Sequence, residues 1–344
     1  MRIFNFHFSK RRVLITALMM LALAWSAISL APRGDNHEGE NPFIRGDKPP
    51  MLIAHGGGNQ EFPDNTLEAY YNAYHADQDV MMETDVSITK DNVLILSHDT
   101  TLDRKTRLTE APIEEVNYED LIEEEVCFGY ENPVNRDGFN TTGEFYRYKN
   151  YRNETVTPKD VPYPPGVEPR HEEVFLATTL EELLTTFPDN YINVEIKQDG
   201  ATGHYALAKT LELLDELDEE YDTFERVVLA SFHRDIYNLI KDYREDMYPD
   251  LMFSPQERSI RQFVLLERTR LDLFYTDPVT VFQLPVGQQG FLFAKRSFIS
   301  AANAHNIAVH FWTINDPEMM RHLIDIGADG IMTDRPHLLA EILD

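Results

Sequence analysis

The 344-residue chain carries 59 acidic against 31 basic residues, a formal charge of −28, and a single cysteine. So large an excess of acid leaves no basic surface for nucleic-acid phosphates, and we expect no nucleic-acid partner. A lone cysteine, Cys127, excludes an intramolecular disulfide framework and a sulfur-rich zinc site, and we expect it to be an inert thiol.

The first fifty residues differ in character from the rest. A basic segment, residues 1–12, precedes an uncharged apolar run, residues 13–31, which is about long enough to cross a bilayer core. Because basic flanks stay in the cytoplasm, we expect a single-pass cell-membrane protein whose remaining domain is extracellular. The small residues at 29–31 leave cleavage open, and a cleaved chain would be secreted. Residues 32–50 form a polar linker.

Past the linker, a short apolar strand, residues 51–54, leads into His55 and three glycines. Glycines permit tight turns and close approach of a ligand. A helical pattern follows, with apolar side chains at three-to-four spacing, and we expect Asp64 or Asn65 to cap that helix.

The stretch of residues 80–104 carries the strongest chemical signal. Glu83 and Asp85 lie two apart in a strand-like run, so both carboxylates point to the same side and form a corner of a metal site. After a polar turn, a second apolar run ends just before His98. An imidazole at a strand end beside two carboxylates indicates chemistry more than packing.

Several motifs in order, IAHGGG, PDNTLEAY and METDVSITKDNVLILSHDTTLDRKT, resemble the amino-terminal signature of the glycerophosphodiester phosphodiesterase family, of the PLC-like phosphodiesterase superfamily. HFWTIND and DGIMTDRP resemble its carboxy-terminal signatures. The chain departs from the family at Gly56, where the family has an arginine that grips phosphate, and at Asp64, where it has a glutamate. Four arginines are candidates to replace the missing one: Arg104, Arg147, Arg152 and Arg170.

Residues 127–171 lack periodicity and are rich in Asn, Tyr, Gly and Pro. This composition indicates an insertion, and we expect it to pack over the active-site mouth. A surface elaboration without a catalytic role is the alternative.

A further strand, residues 191–197, presents Glu195 and Lys197 on one face. Charges at a strand end are costly to bury unless they meet a metal or an anion. In the family the matching glutamate completes the metal site and the lysine faces the substrate phosphate, so the resemblance gives these roles to Glu195 and Lys197. A solvated ion pair is the alternative reading of the two residues.

The rest of the chain alternates helices and strands. A capping box of Thr179 and Glu182 predicts one helix, and Asp316 before Pro317, with Gly327 beyond, predicts another. Counting eight or nine strands, we expect an α/β fold that closes into an irregular TIM (β/α)8 barrel over residues 51–344, with the insertion and the N-terminal membrane segment added to it. The resemblance to the family implies the same irregular TIM-type barrel.

In such barrels the chemistry gathers at the carboxyl ends of the strands. Seven residues fall at or near predicted strand ends, and we expect them in one site: His55, Glu83, Asp85, His98, Glu195, Lys197 and Trp312. The three carboxylates would bind Ca²⁺ or Mg²⁺, because oxygen ligands favour hard cations and an anionic diester needs their charge neutralised.

The predicted chemistry divides general-base and general-acid work between His55 and His98, while Lys197 stabilises charge on phosphorus. Trp312 either walls the alcohol pocket or is a core aromatic. Asn315 is expected to be a helix-start residue and not a substrate contact.

The sequence therefore predicts a metal-dependent phosphodiesterase that cleaves glycerophosphodiesters, lysophospholipids or polyglycerol phosphate to an alcohol and a glycerol phosphate. Hydrolysis and cyclic-phosphate formation both fit, and the pattern indicates no particular oligomeric state. The alternative is a non-catalytic metal- or phosphate-binding barrel module at the cell surface. The complete set of histidines and carboxylates favours the enzyme.

Overall fold

The structure, a computed structural model, describes residues 10–106, 111–123, 148–288 and 290–344. Most of the described chain after residue 50 builds a barrel of parallel strands inside a layer of helices. The strands in chain order are β1 Met51–Ala54, β2 Met81–Ile88, β3 Leu94–Leu96, β4 Ile192–Ile196, β5 Val227–Ala230, β6 Met252–Phe253, β7 Val281–Leu284, β8 Gly287–Gln288, β9 Phe291–Leu292, β10 Ala308–Phe311 and β11 Gly330–Thr333.

Eight of these strands follow one another around the barrel in the order β6-β5-β4-β2-β1-β11-β10-β7, and each pairs parallel with its neighbours. Between the two end strands, the backbone N–H of Thr280 donates to the carbonyl of Phe253 at 3.0 Å. The barrel is thus nearly closed, and the predicted TIM-type fold is confirmed.

The ninth strand of this sheet explains the short turn after residue 88. β3 pairs antiparallel with β2, with Leu94 opposite Ile88 and Leu96 opposite Val86. The chain therefore folds back toward the barrel, and the N–H of Ser97 donates to the carbonyl of Asp85 at 2.8 Å. This return places residue 98 beside the carboxylates of β2.

Helices cover the outside of the barrel, and their apolar faces share one core with the strands. In chain order the helices are α1 Lys10–Leu30, α2 Leu67–Ala76, α3 Tyr118–Leu121, α4 Leu180–Thr186, α5 Gly200–Tyr221, α6 Thr223–Arg226, α7 Arg234–Asp246, α8 Glu257–Arg268, α9 Arg296–Asn303, α10 Pro317–Ile326 and α11 Pro336–Leu343.

Helix capping confirms part of the sequence prediction and corrects another part. The capping box of Thr179 and Glu182 opens α4, and Asp316 caps α10. The expectation that Asp64 or Asn65 caps α2 is wrong, because the Thr66 hydroxyl accepts from the N–H of Ala69. Asn65 is committed elsewhere, since its amide binds β2.

α1 differs from the other helices in having almost all of its side chains exposed. Within the described residues it is the one helix long and apolar enough to cross a membrane, over Val13–Leu30. Its length and composition make it a candidate membrane span. A signal sequence near an N-terminus passes the same test.

The amino-terminal end of the barrel is closed by a side chain from residues 32–50, which the sequence indicated only as a linker. Phe43 is fully buried among residues near the starts of the strands, including Met51, Met81 and Val281. Its ring also meets the ring of Tyr191 edge-on, at 5.0 Å between centroids.

We predict that Phe43→Ala lowers the free energy of unfolding by about 3 kcal/mol, because it removes a buried aromatic ring and leaves a cavity. Chemical denaturation followed by circular dichroism measures this loss. Phe274→Ala is the matched control, since Phe274 is 56% exposed and should change stability little. Equal losses in the two variants would contradict the role given to Phe43.

Candidate active site

A cavity of about 440 Å³ opens at the carboxyl ends of the barrel strands. All seven residues predicted for the site line it: His55, Glu83, Asp85, His98, Glu195, Lys197 and Trp312. The barrel topology therefore brings together side chains that lie up to 257 positions apart in sequence, from residue 55 to residue 312.

Three carboxylates form the floor of the cavity because β2 and β4 are neighbours in the barrel. Asp85 pairs in register with Glu195, and Glu83 lies two residues earlier on the same face of β2. One oxygen from each of the three lies within 4.8 Å of the others, close enough for them to hold one metal ion. Glu83 and Asp85 are each 3% exposed.

This crowding perturbs the protonation of the cluster. Burial and the charge of Asp85 raise the pKa of Glu83 to about 8, and the same two causes raise the pKa of Glu195. Burial also opposes ionisation of Asp85, but the charges of Lys197 and His98 and the hydrogen bond from Asn65 together outweigh burial and lower the pKa of Asp85. Glu83 and Glu195 thus lack enough nearby positive charge to favour their ionised forms. The cluster therefore fits a hard divalent cation, which would supply that charge.

The carboxylates are held by hydrogen bonds from three different elements. The Gly56 N–H donates to Glu83 at 2.7 Å, and the Asn65 amide donates to Asp85 at 2.9 Å. The Lys197 ammonium group donates to Glu195 at 2.9 Å and lies 3.4 Å from Asp85. The predicted lysine therefore lines the cavity, with its charge already shared between two acids.

His55 follows β1 and is oriented by a carboxylate that the sequence analysis did not single out. Its Nδ1 lies 2.8 Å from Oδ1 of Asp334, the residue directly after β11. Asn315 fixes that carboxylate in turn, donating to Oδ2 at 2.6 Å and accepting from the Asp334 N–H at 2.9 Å. Burial lowers the pKa of His55, but the charges of Glu83 and Asp334 outweigh burial and raise it to about 10.

His98 has a matching arrangement on the other side of the cavity. Its Nδ1 lies 2.9 Å from Oδ1 of Asp99, and this hydrogen bond raises the pKa of His98. Asp99 accepts a further hydrogen bond from Arg104, which also donates to Asp64 at 3.2 Å. Each imidazole therefore presents one nitrogen to a carboxylate and keeps the other for the cavity.

The family arginine after the first histidine has no room in this chain without a local shift. Gly56 has a left-handed backbone with φ of +54°, and a Cβ there would lie 2.9 Å from the Cβ of Asp64. Arg104 and Asp64 both line a smaller pocket next to His55 and His98. Among the candidate arginines that the structure describes, Arg104 is thus the one that shares a pocket with both histidines.

The other candidate arginines are engaged elsewhere or are not described. Arg170 donates to the carbonyl of Ala177 at 3.0 Å and to Glu182 at 3.2 Å, and Arg152 stacks on the Tyr151 ring. Arg147 lies outside the described residues.

The outer wall of the cavity is apolar. Trp312 packs edge-on against Phe232, with 6.0 Å between ring centroids, and Phe232 is 65% exposed at the mouth. The apolar wall is completed by Ile260, Leu284, Pro285 and Phe293. A charged floor and an apolar wall suit an ester that joins a phosphate to a larger alcohol.

Part of the predicted insertion lies next to this site. The N–H of Tyr151 donates to the Gln60 carbonyl at 2.8 Å, and the Tyr148 hydroxyl donates to the Asn59 carbonyl at 2.7 Å. Both carbonyls belong to the loop that follows His55. Residues 124–147, including Cys127, lie outside the described part of the chain, so the role of the insertion stays a prediction.

The sequence analysis missed the partners of the two histidines. Asp334 follows a predicted strand directly, so the rule that located the other site residues could have found it. Asn315 was expected only to start a helix, but its amide positions Asp334. Asp99 is adjacent to His98, whereas its bond to Arg104 depends on the path of residues 99–104, which no sequence pattern reveals.

These features define a class of protein: a (β/α)8 barrel whose acidic centre shares one cavity with two carboxylate-paired histidines. Comparison with known proteins then identifies the family. The sequence profile of the glycerophosphoryl diester phosphodiesterase family matches residues 55–338. The chain belongs to this family and is a phosphoric diester hydrolase of the glycerophosphodiester phosphodiesterase type.

Similar curated proteins include the mouse lysophospholipase D GDPD1, which is 24% identical over 311 residues, covering 85% of each chain. The glycerophosphodiester phosphodiesterase of Caldanaerobacter subterraneus subsp. tengcongensis is 24% identical over 300 residues, covering 85% of this chain and 97% of that protein.

Among solved structures, a putative glycerophosphoryl diester phosphodiesterase from Silicibacter pomeroyi has the same fold, with a TM-score of 0.60, 22% identity and coverage of 88% of this chain and 95% of that one. An Oleispira antarctica phosphodiesterase in complex with the product sn-glycerol-3-phosphate has a TM-score of 0.56 and 17% identity, covering 86% of this chain and 97% of that one.

We predict that Ca²⁺ or Mg²⁺ raises the Tm, because a cation bound to the folded carboxylate cluster stabilises it. At a hundredfold excess over Kd the gain is about 2.7 kcal/mol, on the order of 5 °C for a chain of this size. Differential scanning fluorimetry measures the shift. The double variant Glu83→Gln, Glu195→Gln should lose it, while Glu257→Gln, an exposed acid at the cavity rim, should keep it. A wild-type Tm that neither ion changes would contradict the metal site.

Proposed function

We propose that this protein is a metal-dependent phosphodiesterase that cleaves glycerophosphodiesters to an alcohol and a glycerol phosphate by acid–base catalysis of two histidines. One observation carries the proposal: two carboxylate-paired imidazoles and a cluster of three carboxylates line the same cavity. Family membership supports the reaction class, and the relative crystallised with sn-glycerol-3-phosphate supports the product.

In the proposed reaction one histidine accepts the proton of the attacking water, or of a substrate hydroxyl, as its oxygen bonds to phosphorus. The other histidine donates a proton to the departing alcohol oxygen as the phosphorus–oxygen bond breaks. Attack by water gives a glycerol phosphate, and attack by a neighbouring hydroxyl gives a cyclic phosphate. His55 and His98 are the two histidines that transfer these protons.

The carboxylate partners keep each histidine in the productive tautomer. Because Asp334 binds Nδ1 of His55 and Asp99 binds Nδ1 of His98, Nε2 of each ring is left for proton transfer. Asp334 and Asp99 thus act as positioning residues. Lys197 lies next to the same carboxylates and stabilises negative charge on the phosphate.

Glu83, Asp85 and Glu195 would hold the divalent cation, Ca²⁺ or Mg²⁺. When bound, such a cation neutralises the carboxylates and polarises the phosphate oxygens. The protein's own contribution is to fix the three oxygens in place, through the Gly56 N–H, the Asn65 amide and the Lys197 ammonium group.

The substrate class follows from the two halves of the cavity. With a cation neutralising its carboxylates, the floor would suit the phosphate, and the apolar wall of Trp312 and Phe232 suits the alcohol that departs or the glycerol that stays. Glycerophosphodiesters, lysophospholipids and polyglycerol phosphate all contain this pairing. The lysophospholipase D names of several relatives extend the candidates to lipid substrates.

We propose in addition that α1 anchors the chain in the cell membrane with the barrel outside the cell. The apolar helix is long enough to span, and Lys10 and Arg11 precede its apolar window.

We predict that the purified full-length chain converts at least one of glycerophosphocholine, lysophosphatidylcholine and polyglycerol phosphate to a phosphomonoester or a cyclic phosphate. Phosphorus NMR distinguishes the two products. Absence of turnover on all three, in a folded protein supplied with Ca²⁺ or Mg²⁺, would contradict the proposed function.

His55→Ala and His98→Ala should each lower kcat by about 10²–10⁴-fold, because each removes one of the two proton-transfer groups. Steady-state assays on the best of the three substrates measure the loss. A folded His337→Ala variant is the control, since His337 pairs with Glu61 away from the cavity. Activity retained in both active-site variants would refute the assignment.

Asp334→Asn should lower kcat on the order of 100-fold, because an amide no longer fixes the tautomer of His55. KM should change little, and the pH profile of kcat should shift, since the neighbouring charge is lost. Asp316→Asn is the matched control on the same side of the barrel, because asparagine caps a helix as well as aspartate does. Equal kinetics in the two variants would show that Asp334 has no positioning role.

A further inference from the structure

The segment that joins α1 to β1 is bonded to the amino-terminal end of the barrel, opposite the cavity. Its first anchor is Arg33, whose guanidinium pairs with Asp272 at 2.9 Å. Asp272 precedes β7 and is also bonded by His305 at 3.2 Å. One turn before the end of α1, the Trp25 indole donates to the carbonyl of Thr269 at 3.0 Å, just after α8 ends.

Two asparagines extend this attachment along the same end of the barrel. The Asn36 amide donates to the Asp277 carbonyl at 2.8 Å. The Asn41 amide donates to the carbonyls of Thr280 and Asn306, both at 2.8 Å. All three acceptors lie in the chain just before β7 or β10, where parallel strands begin, so none of them is near the catalytic ends.

Phe43 completes the attachment by filling the barrel end, and the Arg45 N–H donates to Asp329, just before β11, at 2.9 Å. Side-chain and backbone contacts therefore recur at residues 33, 36, 41, 43 and 45. With these contacts in place the segment does not act as a flexible tether. It fixes where α1 leaves the barrel.

Most side chains of α1 are exposed, and Trp25 near its carboxyl end contacts the barrel. Leu14, Met20 and Leu23 are each at least 60% exposed, and none of the apolar window is buried. An apolar helix exposed on all sides, preceded by Lys10 and Arg11, fits a lipid bilayer as its occupant. Only Ala31 and Pro32 lie between Leu30 and Arg33, so the reach between them is at most about 10 Å.

We infer that the bilayer holding α1 lies under the amino-terminal end of the barrel and that the catalytic cavity opens away from it. The strands alone separate the two ends by about 15 Å, and the loops at the carboxyl ends add to that distance. With a reach of about 10 Å the cavity cannot turn toward the membrane that carries the protein.

This orientation rests on the proposed function for its consequence: it determines which phosphodiesters can reach the cavity. The enzyme acts on glycerophosphodiesters that reach it from the water or from a polymer layer beyond the membrane. Lysophospholipids in its own leaflet are out of reach, although their head group carries the same chemistry.

Two labelling positions test the orientation in the full-length chain reconstituted in phosphatidylcholine vesicles. On a Cys127→Ser background, Lys48→Cys places a fluorophore at the amino-terminal end of the barrel, and Arg258→Cys places one in the first turn of α8, near the cavity. Energy transfer to acceptors on the lipid head groups measures the two distances. We expect the label at residue 48 to lie about 20 Å closer to the lipid head groups than the label at residue 258. A helix of the length of α8 rises by about that distance. Equal distances, the reverse order, or failure of the protein to float with the vesicles would overturn the inference.

A functional measurement uses a very-long-chain lysophosphatidylcholine that stays in the protein's own vesicles, with glycerophosphocholine as the soluble control. An insertion of about 30 Gly/Ser residues after Ala31 adds a reach of about 30 Å, enough to release the barrel from its fixed orientation. The insertion should raise lipid hydrolysis about tenfold and leave glycerophosphocholine hydrolysis unchanged. Equal lipid hydrolysis with and without the insertion would overturn the inference. Loss of both activities in both chains would instead contradict the proposed function, while the label distances still test the orientation.

Discussion

The mutual repulsion of three crowded carboxylates, two of them buried, is the constraint on which the site depends. β2 and β4 lie side by side, and their register places Asp85 opposite Glu195, with Glu83 on the same face. Buried acids this close are unfavourable unless cations or hydrogen-bond donors compensate them. The donors present are a backbone N–H, an amide and one lysine, which fix the oxygens and leave a demand for further positive charge.

The sequence predicted the barrel and the seven cavity residues because both follow from periodic, local rules. Alternation on a strand put Glu83 and Asp85 on one face, and parallel strands bring their carboxyl ends together. The family motifs added Glu195 and Lys197. These rules work wherever a site residue lies within a regular strand or directly at its end.

What the sequence could not supply was the pairing between distant loops. Asn65 was expected as a helix cap, but tertiary contacts use its amide on Asp85, and Thr66 takes the cap instead. The link from Arg104 to Asp99 and the packing of Phe43 in the barrel end depend on the path of irregular chain. No period marks such contacts, so the anchoring of residues 33–45 was also not anticipated.

The antiparallel return of β3 places the two cavity histidines on different parts of the fold. His55 directly follows a strand of the nearly closed barrel, whereas His98 follows β3, which pairs antiparallel with β2 and bridges to Thr179. β3 lies outside the path of eight parallel strands, so a change of length in the turn before it would leave the pairing of those eight strands intact. The distance between the two imidazoles is therefore set partly by residues outside the barrel wall.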